Sequence, residues 1–257
     1  MGGGDARKKA IIFEGEEISY REFDAQIKTN ACMLKDGLSV KQGNRIAYLG
    51  QNYPQILVMF FACARLDAIF IPLNWRLTPT EHLHMLQDSG SSILFVDSLY
   101  CEQSEILKAE LPDCKFITVQ QEQKAGWLVL PELLEQAQGD DLHPGVGLEA
   151  TMVIIYTSGA TGLSKGAMLT QKAIQYNAFN STIMHDMTSE DLILAMLPLF
   201  HVSGLNIQTT VGFHAGATVL LHRVVNAEQT LKAIIEDKST LTIILPAHMS
   251  VLDELPG

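Results

Sequence analysis

The chain has 257 residues, enough for one large domain or two lobes with a real core. Apolar residues make up 47% and charged residues 18%, which excludes a disordered chain. A formal charge of -11 at pH 7 argues against a nucleic-acid partner, because a phosphate backbone asks for clustered Lys and Arg; a lone nucleotide asks only for a local site.

The opening "MGGGDARKKA" has no apolar core of a secretory signal, and Ala6 stands where myristoylation of Gly2 asks for Ser or Thr. Ser19 with Glu22 forms a capping box, and Phe23, Ile27, Ala31 and Leu34 fall on one helical face that Gly37 ends. "RIAYLG" reads as a strand, Pro54 to Leu66 as a helix, and "AIFIPL" as a strand. The most apolar window, Ile56 to Leu73, carries Arg65, Asp67 and Pro72 and makes a poor membrane span. A cytoplasmic protein is expected. Thr78, Pro79 and Glu81 supply an N-cap, a proline at the first helical position and a second capping box, for a helix to about Ser89. "SILFVD" is a strand, Leu99 to Glu110 a helix and "KFITV" a strand. The pattern loosens from Gln120 to Ala150, with a short helix near Glu132 to Gln138 and a loop at "GDDLHPGVG".

After that the alternation resumes: strands at "MVIIYT" and "AMLT", a helix from Gln171, the strand "LILAM", and a helix near Leu205 to His214. The strand "ATVLL", a helix near Ala227 to Glu236 and the strand "LTIIL" complete it. Strand–helix alternation with short connections predicts an α/β fold with mainly parallel sheets flanked by helices, and so many strands suit two sheets better than one. Cys32, Cys63, Cys101 and Cys114 show no paired spacing and read as reduced, mostly buried thiols. His82 and His84, two apart on a helix, face different ways and make a poor metal pair.

One stretch stands out. In "YTSGATGLSKG", Thr157, Ser158, Gly159, Thr161 and Gly162 offer hydroxyl donors and backbone N–H groups that glycine lets a ligand approach. Lys165 adds a compact positive charge. Ligands of such folds sit at the carboxyl ends of strands, where this loop falls. A phosphate chain is the fitting guest; a glycine-rich hairpin with no ligand is the plain alternative. It is not a Walker loop, because Ser164 precedes Lys165, Gly166 follows it, and "AMLT" reads as a strand rather than a helix. Neither Ser158 nor Ser203 has the glycine of a nucleophile elbow two residues before it.

The stretch resembles the Y-T-S-G-T-T-G-x-P-K-G signature of the adenylate-forming enzymes: acyl-CoA synthetases, luciferases and peptide-synthetase adenylation domains. "ISYREFD", the run from "VKQGNRIAYLGQNYPQ" through "PLNWRLTPTEHLHML", and "MLPLFHVSGL" resemble further family segments in the right order. The resemblance implies two interleaved lobes belonging to the family's large N-terminal domain. It implies ATP-dependent activation of a carboxylic acid, a fatty acid by the look of "PLNWRLTP" and "LPLFHVSGL", to acyl-AMP and then acyl-CoA. ATP/AMP, Mg2+ and coenzyme A are the implied cofactors and co-substrates. Residues 157 to 166, including Ala160 and Gly166, would hold the phosphates, with Thr161 near the magnesium. Thr161, Lys165 and His201 are the implied catalytic set; His201, with Gly204, would line the carboxylate pocket, and Leu205 and Gly216 would help shape it. His201 favours an acid without an α-amino group, since amino-acid-activating relatives tend to carry Asp there; an adenylation domain is the weaker alternative.

Four positions depart from the pattern. Ala160 replaces Thr and Ser164 replaces Pro; Asn44 stands where Asp is common, and Asp67 where Gly is. The later Tyr-Gly-x-Thr-Glu segment, the ribose-binding aspartate and the C-terminal lysine do not occur. Residues 1–257 are therefore expected to be an incomplete N-terminal AMP-binding domain, inactive alone. A truncated, non-catalytic acyl- or nucleotide-binding module is the other reading.

Overall fold

The computed structural model describes residues 8–121, 123–138, 147–157 and 162–246. These form two compact units interleaved along the chain. One comprises the described residues within Met1–Phe23, Asn52–Pro54 and Ile174–Gly257; the other comprises those within Asp24–Gln51 and Gln55–Ala173.

The strands in chain order are β1 (Lys9–Phe13), β2 (Glu16–Ser19), β3 (Arg45–Leu49), β4 (Ile69–Leu73), β5 (Ile93–Val96), β6 (Lys115–Thr118), β7 (Leu128–Val129), β8 (Thr151–Thr157), β9 (Lys165–Thr170), β10 (Leu192–Ala195), β11 (Thr218–Leu221) and β12 (Leu241–Thr242). The α-helices are α1 (Tyr20–Cys32), α2 (Pro54–Arg65), α3 (Pro79–Ser89), α4 (Cys101–Glu110), α5 (Leu130–Glu135), α6 (Gln171–Met184), α7 (Thr210–Ala215) and α8 (Ala227–Ile235).

The second unit is built on a seven-stranded sheet in the order β7-β6-β5-β3-β4-β8-β9. Every neighbouring pair is parallel except the hairpin β8–β9. Parallel strands are covered on both faces, so they read as continuous apolar runs; all four residues of β5 are buried. Helix α2 is buried nearly all round, with Leu57, Val58, Met59, Phe60, Ala62 and Cys63 fully enclosed. Its hydrophobicity therefore serves a core, and no helix among the described residues is long and apolar enough to cross a membrane. Both expected capping boxes form. Thr78 accepts from the Glu81 N–H and the Glu81 carboxylate accepts from the Thr78 N–H, while Gly90 closes α3 in the left-handed region. Ser19 and Glu22 do the same at the start of α1.

Two departures from the family pattern have local explanations. Asp67 sits at φ 51°, a left-handed backbone that glycine takes freely. Its buried carboxylate accepts from Gln171 Nε2 at 3.1 Å and Gln42 Nε2 at 3.2 Å. Asn44 Oδ1 accepts from the Lys41 N–H at 2.8 Å, a turn bond that Asp makes equally well.

The first unit is a five-stranded sheet in the order β12-β10-β11-β1-β2, parallel except for the β1–β2 hairpin. That hairpin was not expected. Its two-residue loop, Glu14-Gly15, has φ 51° and 88°, the conformation that Asn-Gly or Asp-Gly usually announces. Glutamate hides the signal. The short strand β7 was also missed, and β12 pairs over two residues where five were expected. The helix expected near Leu205 starts at Ser203 as a seven-residue π-type segment and becomes α7 only at Thr210. Most of the "GDDLHPGVG" loop, residues 139–146, lies outside the described residues. Cys32, Cys63 and Cys101 are buried thiols and Cys114 is half-buried; none of the four forms a disulfide among the described residues.

Candidate active site

The glycine-and-hydroxyl stretch runs in sequence from the end of β8 to the start of β9, two strands paired as a hairpin. Strands β3 to β8 run the same way, so the end of β8 lies at the carboxyl edge of the larger sheet, where such sheets bind ligands. At the neck of the hairpin Thr157 pairs with Lys165 and Tyr156 with Gly166. Lys165 is exposed, and a Cβ on Gly162, at φ 99°, would meet nothing within 4 Å among the described residues. Ser158, Gly159, Ala160 and Thr161 lie outside the described residues. Gly166 is glycine for want of room: a Cβ there would stand 2.6 Å from Ile154 Cγ2 and 3.2 Å from Tyr156 Cζ.

The neck is tied to α3. The Tyr156 hydroxyl donates to Asp88 Oδ2 at 2.6 Å and lies 3.1 Å from the Met85 carbonyl. Burial, then the Asp88 carboxylate, pushes the Tyr156 phenol up, so it stays a neutral donor. His84 Nε2 donates to the Ser164 carbonyl at 3.1 Å. Motif reading missed these supports. The signal was present, since the Thr78 cap fixes the phase of α3 and places His84 and Asp88 one turn apart on one face. His82, on the same helix, is buried and bonds the Asn74 carbonyl at 2.9 Å, so the two histidines do face apart.

His201 and Gly204 belong to the first unit. His201 follows β10 through the segment "MLPLF". Its Nδ1 accepts the Ser203 N–H at 3.3 Å and lies 2.8 Å from Ser203 Oγ. An N–H can only donate, so Nδ1 carries no proton and Nε2–H is the exposed donor, suited to a carboxylate oxygen. Gly204 is buried, and it is glycine for want of room: a Cβ would come within 2.4 Å of the Leu197 and Pro198 carbonyl oxygens. Leu205 is fully buried, and Gly216 is the left-handed cap of α7. Below this segment Asn52, 3% exposed, fastens its backbone. Nδ2 donates to the carbonyls of Leu197 at 3.0 Å and His222 at 2.9 Å, and Oδ1 accepts from the Leu199 N–H at 2.8 Å. Among the described residues no group of three or more His, Cys, Asp or Glu could hold a metal ion.

A family model described as AMP-binding enzyme matches residues 3–256. The chain belongs to the AMP-binding enzyme family. An indoleacetate–CoA ligase of Aromatoleum aromaticum is 40% identical over 99% of the chain and 50% of its own length. A feruloyl-CoA synthase of an Amycolatopsis species is 33% identical over 96% of the chain and 47% of its own length. Among solved structures, the o-succinylbenzoate CoA synthetase MenE of Bacillus subtilis, in complex with the acyl-adenylate intermediate OSB-AMP, superposes with a TM-score of 0.80 at 28% identity. That match covers 97% of the chain and 61% of the solved one. The chain thus spans about half the length of the curated relatives it matches. In this family setting the α/β architecture, with mostly parallel sheets flanked by helices, is that of adenylate-forming enzymes.

Proposed function

We propose that the chain is the phosphate- and acid-binding portion of an AMP-forming acid–CoA ligase, acting in the cytoplasm. A carboxylate has no usable leaving group, and attack on the α-phosphorus of ATP supplies AMP as one. In this reading the hairpin tip, residues 157–166, binds the β- and γ-phosphates through its hydroxyls and N–H groups, and Lys165 neutralises their charge. Such transfers depend mostly on positioning and charge neutralisation. Mg2+ would arrive on the triphosphate with Thr161 as its protein ligand, in keeping with that ion's habit of binding through phosphates. His201 would donate through Nε2–H to the acid, with Gly204 letting the chain fold tightly beneath it, and coenzyme A would accept the acyl group. Residues 1–257 would then form part of a larger AMP-binding domain. Four cysteines outside any disulfide suit a reducing compartment.

The observation that carries this proposal is the exposed Lys165 at a glycine-rich hairpin tip on the carboxyl edge of a parallel sheet, in a chain of this family. The acid has no α-amino group in this reading. The names of the relatives put indoleacetate and ferulate beside fatty acids in the panel to be tried. Calorimetry with Mg·ATP tests the first half: Lys165→Ala should weaken binding about tenfold to a hundredfold, the loss of one or more charge-assisted hydrogen bonds. Unchanged affinity in Lys165→Ala and Thr161→Ala sinks the proposal. Pyrophosphate exchange with the acid panel tests the second half. Binding without exchange is the outcome expected of these 257 residues alone, and robust exchange by them would overturn that expectation.

A further inference from the structure

We propose that α3 is a splint for the phosphate loop: His84 and Asp88 hold the two limbs of the hairpin neck, so that Lys165 is in place before a polyphosphate arrives. The ligand in this statement rests on the reading given above; the splint itself rests on geometry. On the outgoing limb His84 Nε2 donates to the Ser164 carbonyl, 3.1 Å away. That carbonyl belongs to the peptide joining Ser164 to Lys165, so the bond fixes the plane from which the lysine departs. On the incoming limb the Tyr156 hydroxyl reaches Asp88 Oδ2 at 2.6 Å, with the Met85 carbonyl 3.1 Å away. The Tyr156 ring lies beside Gly166, where a Cβ would come 3.2 Å from Cζ. Each limb is therefore clamped on the residue next to the terminal pair Thr157–Lys165.

The splint is itself rigid. Helix α3 has the Thr78–Glu81 capping box, proline at its start, a left-handed glycine at its end, and His82, Met85, Leu86 and Ser89 buried beneath it. The outgoing limb of the neck has less of its own: β9 is an exposed edge strand, and a Cβ on Gly162 would meet nothing within 4 Å among the described residues. Order at the neck must be borrowed, and a loop ordered in advance loses less freedom on binding. His84 and Asp88 are positioning residues in this scheme. They act through Ser164, Tyr156 and Lys165 and touch no substrate.

The test uses the 257-residue chain with His84→Ala, Asp88→Ala, Asp88→Asn and Tyr156→Phe. Amide hydrogen exchange at residues 163–166 reads the neck in the free protein, and calorimetry reads Mg·ATP affinity. Exchange should quicken about tenfold at the neck in His84→Ala, Asp88→Ala and Tyr156→Phe, with β3 to β6 and the melting temperature unmoved, and ATP affinity should fall roughly fivefold to tenfold. Asp88→Asn keeps an acceptor and should restore most of both. Neck exchange unchanged in the alanine variants overturns the splint. So does faster neck exchange with unchanged ATP affinity, or a loosening of every strand together, which marks a general stabilising role. If the unsubstituted chain binds no ATP, the functional reading fails, and the exchange data alone then decide the splint, faster at the neck supporting it and unchanged overturning it.

Discussion

Replacing Asn52 by alanine removes three hydrogen bonds at once and leaves their backbone partners where water reaches them poorly. The Leu197 carbonyl and the Leu199 N–H belong to residues 1% and 0% exposed, while the His222 carbonyl is less enclosed. A buried polar group left without a partner costs about 1–3 kcal/mol. Taking the low end for the two enclosed groups and about half of it for the third gives a loss of about 2.5 kcal/mol. In a chain of this size that is a fall in Tm of about 5–10 °C. Urea denaturation followed by far-UV circular dichroism measures it directly. Volume is not the cause, and Asn52→Asp shows this: the carboxylate fits the same space, yet turns an oxygen toward two carbonyl oxygens and donates to neither. At pH 7 it should cost at least as much as alanine. An Asn52→Asp protein within about 1 kcal/mol of the original would refute the hydrogen-bond account of how the segment leading to His201 is held.

Gly204→Ala forces a Cβ against two carbonyl oxygens and should destabilise by about 3 kcal/mol, overpacking against backbone that has no rotamer to yield; a melt within about 2 °C of the original contradicts it. Asp67→Ala should cost about 2 kcal/mol, from a strained left-handed residue and two lost carboxylate bonds, and Asp67→Gly should recover about 1 kcal/mol of this by relaxing the backbone; equal losses in the two variants rule out the backbone part. Burial pushes the His82 imidazole down, against the opposing pull of the Asn74 carbonyl and Glu81, and burial lowers His222 as well. The folded chain therefore stays unprotonated at these sites when the unfolded chain, with His near about 6.5, takes up protons. Stability should be full above about pH 7 and fall as pH drops through 6.5 toward the folded values. His82→Gln should flatten the fall in urea midpoint between pH 7.5 and 5, and identical slopes would count against the burial argument.

Much of the fold could be read in the sequence because its signals are local. The capping box at Thr78, Pro79 and Glu81 lies within four residues, and α3 begins where it says. The buried run of α2 and the alternation of strand and helix were equally plain. What escaped is of two kinds. The β1–β2 turn uses Glu14 in a left-handed conformation that favours other residues, so its chemistry is atypical. The π-type segment Ser203–Thr209 answers to no motif: the Leu197 and Pro198 carbonyls crowd Gly204 from the same stretch, while Asn177, 29 residues away, donates to the Asn206 carbonyl at 2.7 Å. No short window of sequence contains both sides of that second contact.

The candidate site divides the same way. A phosphate loop is legible because its chemistry is its sequence: glycines, hydroxyls and a lysine at fixed offsets describe what a polyphosphate needs. The groups that hold such a loop obey no motif, because any donor or acceptor that reaches it will serve. His84 lies 80 residues from Ser164, Asp88 lies 68 from Tyr156, and Asn52 lies 145 from Leu197. Of these, only the shared face of His84 and Asp88 could be seen in advance, and what that face meets could not. A motif can therefore name the residues that meet a ligand while staying silent about those that make them rigid. If preorganisation sets affinity, two chains with identical loop motifs and different α3 faces should bind ATP differently, and the difference should travel with α3 when that helix is exchanged.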